Sequence, residues 1–339
     1  MEKFKSFIEE EKKPYNVLIV SHDDPEDPNV TGQRIEEECK KMGLVSYMLE
    51  LNGGYITTND SSVKVAHNKD DKKGFEMNPE DTLVFVRGSI TNRYPWMDMI
   101  TQLERAGFCC VNSRHCIEVC HDKYRTMLFL AELGLRQPKS VLIPDKDSSV
   151  SAFKELGSDY PVILKTVTGT HGVGVMYIES EKSLSAITQI LYKLDEDIGL
   201  MLQEYIPTKY DVRAIVRNKE IIATMQRPVV PGDFRSNVSQ GSKPTTIKLT
   251  ELEEEECIQA ADMVDGLWVG VDFIPAKNRE KDQPFIIEIN GSPGSAGIEE
   301  VSKSNMIGDI LEYYMDRNKW LKPKPFRSIY TWQSTLKVI

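Results

Sequence analysis

The chain has 339 residues, 40% of them hydrophobic and 28% charged, with a formal net charge of −10. That length exceeds what one small core organises and points to two or three lobes. The acidic balance argues against nucleic acid as the main partner, and no apolar run approaches the roughly 20 residues of a membrane span.

The segment from Met1 to Lys13 alternates Phe4, Phe7 and Ile8 with Lys and Glu and has no signal-peptide apolar region. Six cysteines without a secretory signal imply free thiols in a reducing, cytoplasmic compartment. Cys116 and Cys120 are spaced to share a helix face near His115 and His121, but no paired Cys-x-x-Cys pattern accompanies them. Buried small hydrophobes are the better reading than a zinc site.

Val17 to Val20 is a short apolar run of the kind that forms a buried parallel strand. Helical spacing follows over Thr31 to Met42, closed by Gly43, and Val45 to Leu51 reads as a second strand. Residues 52–79 are rich in Gly, Asn, Asp and Lys and read as a long exposed excursion. Thr82 to Val86 is the next strand, then a helix from about Pro95 to Ala106, then Phe108 to Val111 as a strand. This alternation predicts a small open α/β domain over roughly residues 15–115. Ligands of such sheets gather at the carboxyl ends of strands, which makes Arg87 a candidate for gripping a substrate carboxylate. A surface salt bridge is an equal reading of Arg87.

From Cys116 to Leu133 the spacing is helical, with Lys123 inside it and Gly134 as its stop. Strands around Ser140–Ile143 and Pro161–Lys165 flank a helix around Val150–Leu156. Lys165 ends its apolar run and a glycine-rich segment follows, carrying Gly169, Gly172 and Gly174. Glycines let backbone N–H groups approach phosphate closely. A Rossmann or Walker loop must lead into a helix, whereas a strand follows here, so both are rejected. A β-hairpin flap over nucleotide phosphates fits, and so does an ordinary glycine-rich turn. A helix over Ser183–Leu194 precedes the strand Leu200 to Ile206, which carries Gln203, Glu204 and Tyr205 and stops at Pro207. Tyr210–Val216 and Glu220–Arg227 form a hairpin turning at Asn218-Lys219, with Asp211 and Arg213 on one face. A donor-rich loop containing Arg235, Ser236 and Asn237 comes next. Thr250 and Glu253 make a capping box for a helix through about Asp265.

Trp268 to Gly294 carries the strongest signal. Two apolar, β-branched runs separated by a polar connection with Pro275 and Pro284 predict a β-hairpin. Each run holds one carboxylate where a buried strand should carry Val or Leu: Asp272 and Glu288. A loop centred near position 280 sets them opposite each other, with Asn290 on the same face. Two such carboxylates repel unless a cation lies between them, and an all-oxygen donor set suits Mg²⁺ or Mn²⁺ rather than zinc. Asn305 to Tyr314 is the last helix, and 321–339 is a Pro/Lys-rich tail.

Together, Lys165 before a glycine flap, Gln203-Glu-Tyr-Ile206, Gly232 to Asn237, Gly270-Val-Asp272 and Glu288 to Gly294 resemble the ATP-grasp ligases, most nearly the RimK branch. The resemblance covers about residues 80–315. It implies an α/β (α+β) ATP-grasp fold with an N-terminal open α/β pre-grasp domain (1–118), a central lobe with the flap (119–200), a C-terminal lobe with the metal site (201–320) and a tail (321–339). It further implies that Lys123 and Lys165 hold phosphates, that Gln203 to Ile206 read adenine, and that Asp211 binds ribose. By the same resemblance Arg235, Ser236 and Asn237 lie near the triphosphate. Asp272, Glu288 and Asn290 would ligate Mg²⁺ or Mn²⁺, two ions, with ATP.

The expected reaction is ADP-forming carboxylate–amine ligation through an acyl phosphate, with Arg227 and Arg235 as catalytic cations. Arg87, Arg213, Ser292 and Gly294 are expected on the substrate side. The branch implies addition of an amino acid such as glutamate to a peptide or protein C-terminus, with no nucleic acid or membrane partner and with room for a homo-oligomer. A small-molecule ligase of glutathione-synthetase type, a kinase on the same fold and a non-catalytic nucleotide-binding module are the alternatives. The chain departs from the family pattern at Met225-Gln-Arg-Pro228 and at Gly241-Ser242, on the acceptor side.

Overall fold

A computed structural model of the protein describes residues 15–22, 29–58, 63–88, 94–157, 159–169, 174–230 and 243–321. The chain divides into two compact units, one of residues 1–114 and 307–339, the other of residues 115–306.

The first unit is built on a parallel sheet. Its strands β1 (Asn16–Ser21), β2 (Val45–Glu50), β6 (Thr82–Arg87) and β7 (Cys109–Val111) stand in the order β2-β1-β6-β7. Helix α1 (Val30–Met42) connects β1 to β2, and α2 (Tyr94–Arg105) connects β6 to β7. Apolar residues along β1 and β6 are buried on both faces, as a covered parallel sheet requires. Gly43 ends α1 at φ 72°, a left-handed conformation in which its N–H closes on the carbonyls of Cys39 and Lys40.

The expected exposed excursion at 52–79 is instead a three-stranded antiparallel sheet: β3 (Tyr55–Thr58), β4 (Val63–Ala66) and β5 (Phe75–Met77). Val63, Val65, Ala66 and Met77 are buried in it. Its strands are three or four residues long, so the surrounding Gly, Asn and Asp residues dominate any sequence window across them. The tyrosine hydroxyl of Tyr47 donates to Asp71, and the N–H of His67 donates to the same carboxylate at 3.0 Å, fixing the intervening loop.

The second unit opens with α3 (Arg114–His121) and α4 (Lys123–Glu132). The single helix expected over 116–133 is therefore broken. Asp122 caps α4, its side chain accepting from the N–H of Arg125 at 2.9 Å. Two antiparallel sheets follow. The first contains β8 (Ser140–Ile143), β9 (Val162–Thr166), β10 (Val175–Ile178) and β11 (Leu200–Glu204) in the order β10-β9-β11-β8. Helices α5 (Ser149–Leu156) and α6 (Glu181–Leu194) supply Ala152, Leu156 and Leu184 to its core.

The second sheet contains β12 (Tyr210–Arg217), β13 (Glu220–Pro228), β14 (Trp268–Ile274) and β15 (Phe285–Asn290) in the order β13-β12-β14-β15. The turn at Asn218-Lys219 has both residues at positive φ, 43° and 71°, as a two-residue hairpin demands. Helix α7 (Glu251–Met263) packs on this sheet, and Cys116, Val119, Cys120, Met127 and Leu130 of α3 and α4 share its core. The capping box of Thr250 and Glu253 forms at the start of α7. Short helix α8 (Ala296–Ser302) follows β15, and α9 (Met306–Tyr313) returns the chain to the first unit. There Leu311 accepts a hydrogen bond from the Tyr15 hydroxyl at 2.9 Å.

Candidate active site

Two-residue periodicity places charged side chains in one row across three strands. Arg213 on β12 is paired in register with Asp272 on β14, and Asp272 is paired with Glu288 on β15. Directly opposed residues of an antiparallel pair project to the same face. A bulge between Asp272 and Phe273 lets Ile287 drop out of the pairing without disturbing the acid pair. Asn290, two residues beyond Glu288, lies on that face as well. Two residues back along β12, Asp211 is paired with Arg227 on β13.

The side chains close on one another. Arg213 donates to both oxygens of Asp272, at 2.6 Å from Nε and 2.6 Å from Nη2. Arg227 holds Asp211 at 2.7 and 2.8 Å and also reaches Asp272 at 2.9 Å. Burial alone would raise the Asp272 carboxyl, but the two guanidiniums outweigh it and hold the acid at about 2. For Arg227 burial is again the largest single effect and favours proton loss, yet Asp272 and Asp211 drive its proton affinity above the usual arginine value. Glu288, by contrast, makes no ion pair or side-chain hydrogen bond among the described residues.

The lysines come from the other side of the unit. Lys165 is the fourth residue of β9 and donates to Gln203 Oε1 at 2.6 Å. Gln203 is oriented in turn by Ser140, whose hydroxyl it meets at 2.9 Å. Burial lowers the Lys165 ammonium to about 8; the Glu288 carboxylate opposes that shift and the Lys123 ammonium adds to it. The Lys165 ammonium is thus within electrostatic reach of both Glu288 and Lys123. Lys123 is the first residue of α4, with its N–H bonded to the Val167 carbonyl at 2.8 Å and its Nζ to the Gly169 carbonyl at 2.7 Å. Both bonds tie the helix start to the beginning of the glycine segment. Gly169 and Gly174, which bound that segment, have φ of 122° and 81°, values that side-chain-bearing residues rarely adopt.

Other expected residues are placed as follows. Glu204 pairs its backbone N–H with the Lys139 carbonyl at 2.9 Å, and its carboxylate accepts from the Lys139 N–H at 2.9 Å. Tyr205 meets Tyr177 edge to face with ring centroids 5.2 Å apart, and Ile206 is half-buried beside it. Asp211 is buried and its two oxygens both accept from Arg227, so the ribose role expected of it competes with an ion pair. Ser292 is half-buried and Gly294 exposed, with open space where a Cβ would stand. Arg87 belongs to the first unit, where it is fully buried at the carboxyl end of β6, and burial lowers its guanidinium to about 9. Gly172, Arg235, Ser236 and Asn237 lie outside the described residues.

Supporting residues were not foreseen. Arg279, in the connection between β14 and β15, donates to Glu253 at 2.8 and 2.6 Å and to the Lys248 carbonyl at 2.8 Å. Where that connection enters β15, Arg136 from the segment after α4 lies over the Phe285 ring at 3.8 Å, and its carbonyl accepts from Ile286 N–H at 2.9 Å. The acid hairpin is thus clamped at its far end. Gly291 follows Asn290 against α3, where a Cβ would stand 3.3 Å from Cys120 Cβ and 3.4 Å from Ile117 Cα. An i,i+3 Arg–Glu signal would have been legible, but Glu253 and Arg279 are 26 residues apart.

The donor set fits a hard divalent cation. Asp272 and Glu288 offer carboxylate oxygens, and the buried side-chain nitrogen of Asn290 has no hydrogen-bond partner among the described residues. Turning that amide about its last torsion presents its oxygen instead, which is the end a cation needs.

Comparisons with known proteins bear on the family of the chain. A sequence model described as the RimK-like ATP-grasp domain matches residues 120–314, more than half of the chain. A protein of Coxiella burnetii named probable alpha-L-glutamate ligase is 34% identical over 226 residues, covering 66% of this chain and 73% of its own. One of the same name from Psychromonas ingrahamii is 28% identical over 283 residues, 83% of this chain and 89% of its own. The structure of the ATP-grasp ligase PsnB, complexed with minimal precursor, Mg and ADP, aligns with TM-score 0.63 at 16% identity, over 89% of this chain and 98% of that one. The chain belongs to the RimK-like ATP-grasp family and is an ADP-forming carboxylate–amine ligase that uses ATP with a divalent metal.

Proposed function

We propose that the protein joins an amino acid, glutamate, through its amine to the carboxyl end of a peptide or protein. The carrying observation is the row Arg213–Asp272–Glu288, with Lys165 within electrostatic reach of Glu288 and Lys123 beside the glycine segment. The relatives named alpha-L-glutamate ligase and the precursor bound to PsnB support this choice of substrates.

In this reading a substrate carboxylate oxygen attacks the γ-phosphorus and ADP leaves, giving an acyl phosphate. The amine then attacks the acyl carbon, phosphate departs, and the nitrogen gives up its proton. Phosphoryl transfer needs charge neutralisation and in-line positioning more than covalent help from protein. A divalent ion on Asp272, Glu288 and Asn290, Mg²⁺ or Mn²⁺ and two in number, neutralises phosphate oxygens when bound. Lys123 and Lys165 add fixed positive charge to the same phosphates, and Gln203 aims Lys165. Glu204, Tyr205 and Ile206 line the adenine side, with Asp211 toward the ribose. Arg227 and Arg235 stabilise the transferring group; Ser236, Asn237 and the flap glycines Gly169, Gly172 and Gly174 close on the triphosphate. Arg87, Arg213, Ser292 and Gly294 serve the substrate side. The three lobes are 1–118, 119–200 and 201–320, with 321–339 as a tail.

All six cysteines are free and buried, and among the described residues no helix is long and apolar enough to cross a membrane. Free thiols of this kind support a reducing, cytoplasmic setting.

The testing experiment combines ATP, Mg²⁺, L-glutamate and a set of peptides, and reads ADP release together with product mass. The reading expects ADP that depends on both glutamate and peptide, with a product heavier by one glutamyl residue. ADP with a phosphorylated product and no new amide overturns it.

A further inference from the structure

Asp272 is held by two guanidiniums, and they are not equivalent. Arg227 is 4% exposed and is fixed by two bonds to Asp211 at 2.7 and 2.8 Å, so its single contact with Asp272 adds to an ion pair that stands without it. Arg213 is 19% exposed, and both of its bonds go to Asp272. Among the described residues it has no second acceptor.

Charge decides what happens when a cation arrives. Asp211 and Asp272 balance Arg213 and Arg227, so this cluster is neutral as it stands. A divalent ion shared by Asp272 and Glu288 with both guanidiniums in place would leave one uncompensated positive charge beside a carboxylate that is 3% exposed. Both oxygens of Asp272 also accept from Arg213, and Oδ2 accepts from Arg227 as well, so a cation competes with guanidinium donors for their lone pairs. Withdrawal of one guanidinium relieves both, and Arg213, better exposed and with no second acceptor among the described residues, is the one free to withdraw.

We infer that Arg213 is a handover residue: it occupies Asp272 until the cation binds, and the released guanidinium then grips the substrate carboxylate. The inference rests on the proposed carboxylate–amine ligation. It makes that site ordered, because the planar five-donor fork that suits a substrate carboxylate is committed to Asp272 before the nucleotide and its ion are bound. A carboxylate arriving first meets a neutralised arginine. The ordering has a chemical use, since the carboxylate is then held only where a phosphoryl donor is already present.

Binding measurements on the full chain separate this from a brace role. Free Mn²⁺ is titrated with wild type, Arg213→Ala and Arg213→Lys in the presence of ADP, and unbound Mn²⁺ is read by electron paramagnetic resonance. Handover expects Arg213→Ala to bind Mn²⁺ tighter by about 10-fold, the weight of one charge-assisted bond pair. Arg213→Lys, which keeps the charge without the two-point grip and the fold with it, gives a smaller change of the same sign. A structural brace gives the opposite sign: weaker Mn²⁺ binding in both variants, which overturns the inference, as does an unchanged affinity. Calorimetric titration of wild type with the acceptor peptide, whose carboxyl end is the substrate carboxylate, supplies the second reading. Binding only in the presence of Mg²⁺ and ADP supports handover, and equal binding without them overturns it. Tighter Mn²⁺ binding in the variants with no peptide binding under either condition leaves handover standing and counts against a peptide carboxyl end as the substrate.

Discussion

Asp272 and Glu288 are paired in direct register across β14 and β15, yet only Asp272 has its charge met by protein cations among the described residues. Glu288 answers to Lys165 at longer range, so the pair is asymmetric. One acid is clamped and the other is ready. A cation between them adds what Glu288 lacks and competes for what Asp272 already has.

The clamp gives Asp272 a measurable acid signature. Its folded value is about 2 against an ordinary 3.8, a lowered carboxyl, so the stability it contributes is present above the unfolded value and lost as pH falls from about 4 toward 2. Asp272→Asn should remove that segment of the acid-unfolding curve. It should also cost about 3 kcal/mol at neutral pH, because two buried guanidiniums lose a shared partner. Urea titrations between pH 2 and pH 7 measure both effects. Metal-dependent turnover should fall by about 10³-fold in the same variant.

Lys165 should make ATP binding pH-dependent. Burial lowers its ammonium to about 8, so the charge offered to phosphate is present below that pH and fades above it. KM for ATP is expected to rise as pH passes through about 8, with kcat changing less. Lys165→Met should flatten that rise. Gln203→Leu should move it to lower pH, since the ammonium loses the acceptor at 2.6 Å that favours its charged form.

Much of this site was legible because its parts are local. The hairpin, the two acids within apolar runs and the offset of Asn290 all follow from a period of two over a short stretch. The turn at Asn218-Lys219 and the capping box at Thr250 and Glu253 are equally local. What escaped is set by pairing at long sequence distance. Nothing near Asp211 announces that Arg227 will take both its oxygens, and nothing near Lys165 announces Gln203, 38 residues on. The sheet at 55–77 escaped for the opposite reason, its strands being too short to outweigh the turn residues around them. The break at Asp122 was hidden because the helical spacing runs on through it, although Asp followed by a new first turn is a capping signal.

Asn290 separates metal binding from structural support. Its side-chain nitrogen is buried without a partner among the described residues, so Asn290→Leu should change stability by no more than about 1 kcal/mol. Mn²⁺ affinity should nonetheless drop by about 10- to 100-fold. Thermal unfolding and Mn²⁺ titration on one preparation check the pair of outcomes.

The Arg279 clamp should behave as a positioning feature. Arg279→Ala leaves Glu253 buried at 1% exposure with its charge uncompensated, at a cost of about 2 kcal/mol. Because the clamp lies at the far end of the hairpin from the acids, kcat should fall only a few-fold while KM for the metal rises. Arg279→Lys should restore part of the stability and part of the metal affinity.

The central claim is that the acid row and its two lysines drive formation of an amide from a carboxylate and an amine. The most direct measurement is mass spectrometry of a peptide incubated with the enzyme, ATP, Mg²⁺ and L-glutamate, with ADP quantified in the same reaction. The account predicts a peptide extended by glutamate, one ADP for each amide formed, and neither product with Asp272→Asn. ADP accumulating with an unextended or phosphorylated peptide would contradict it.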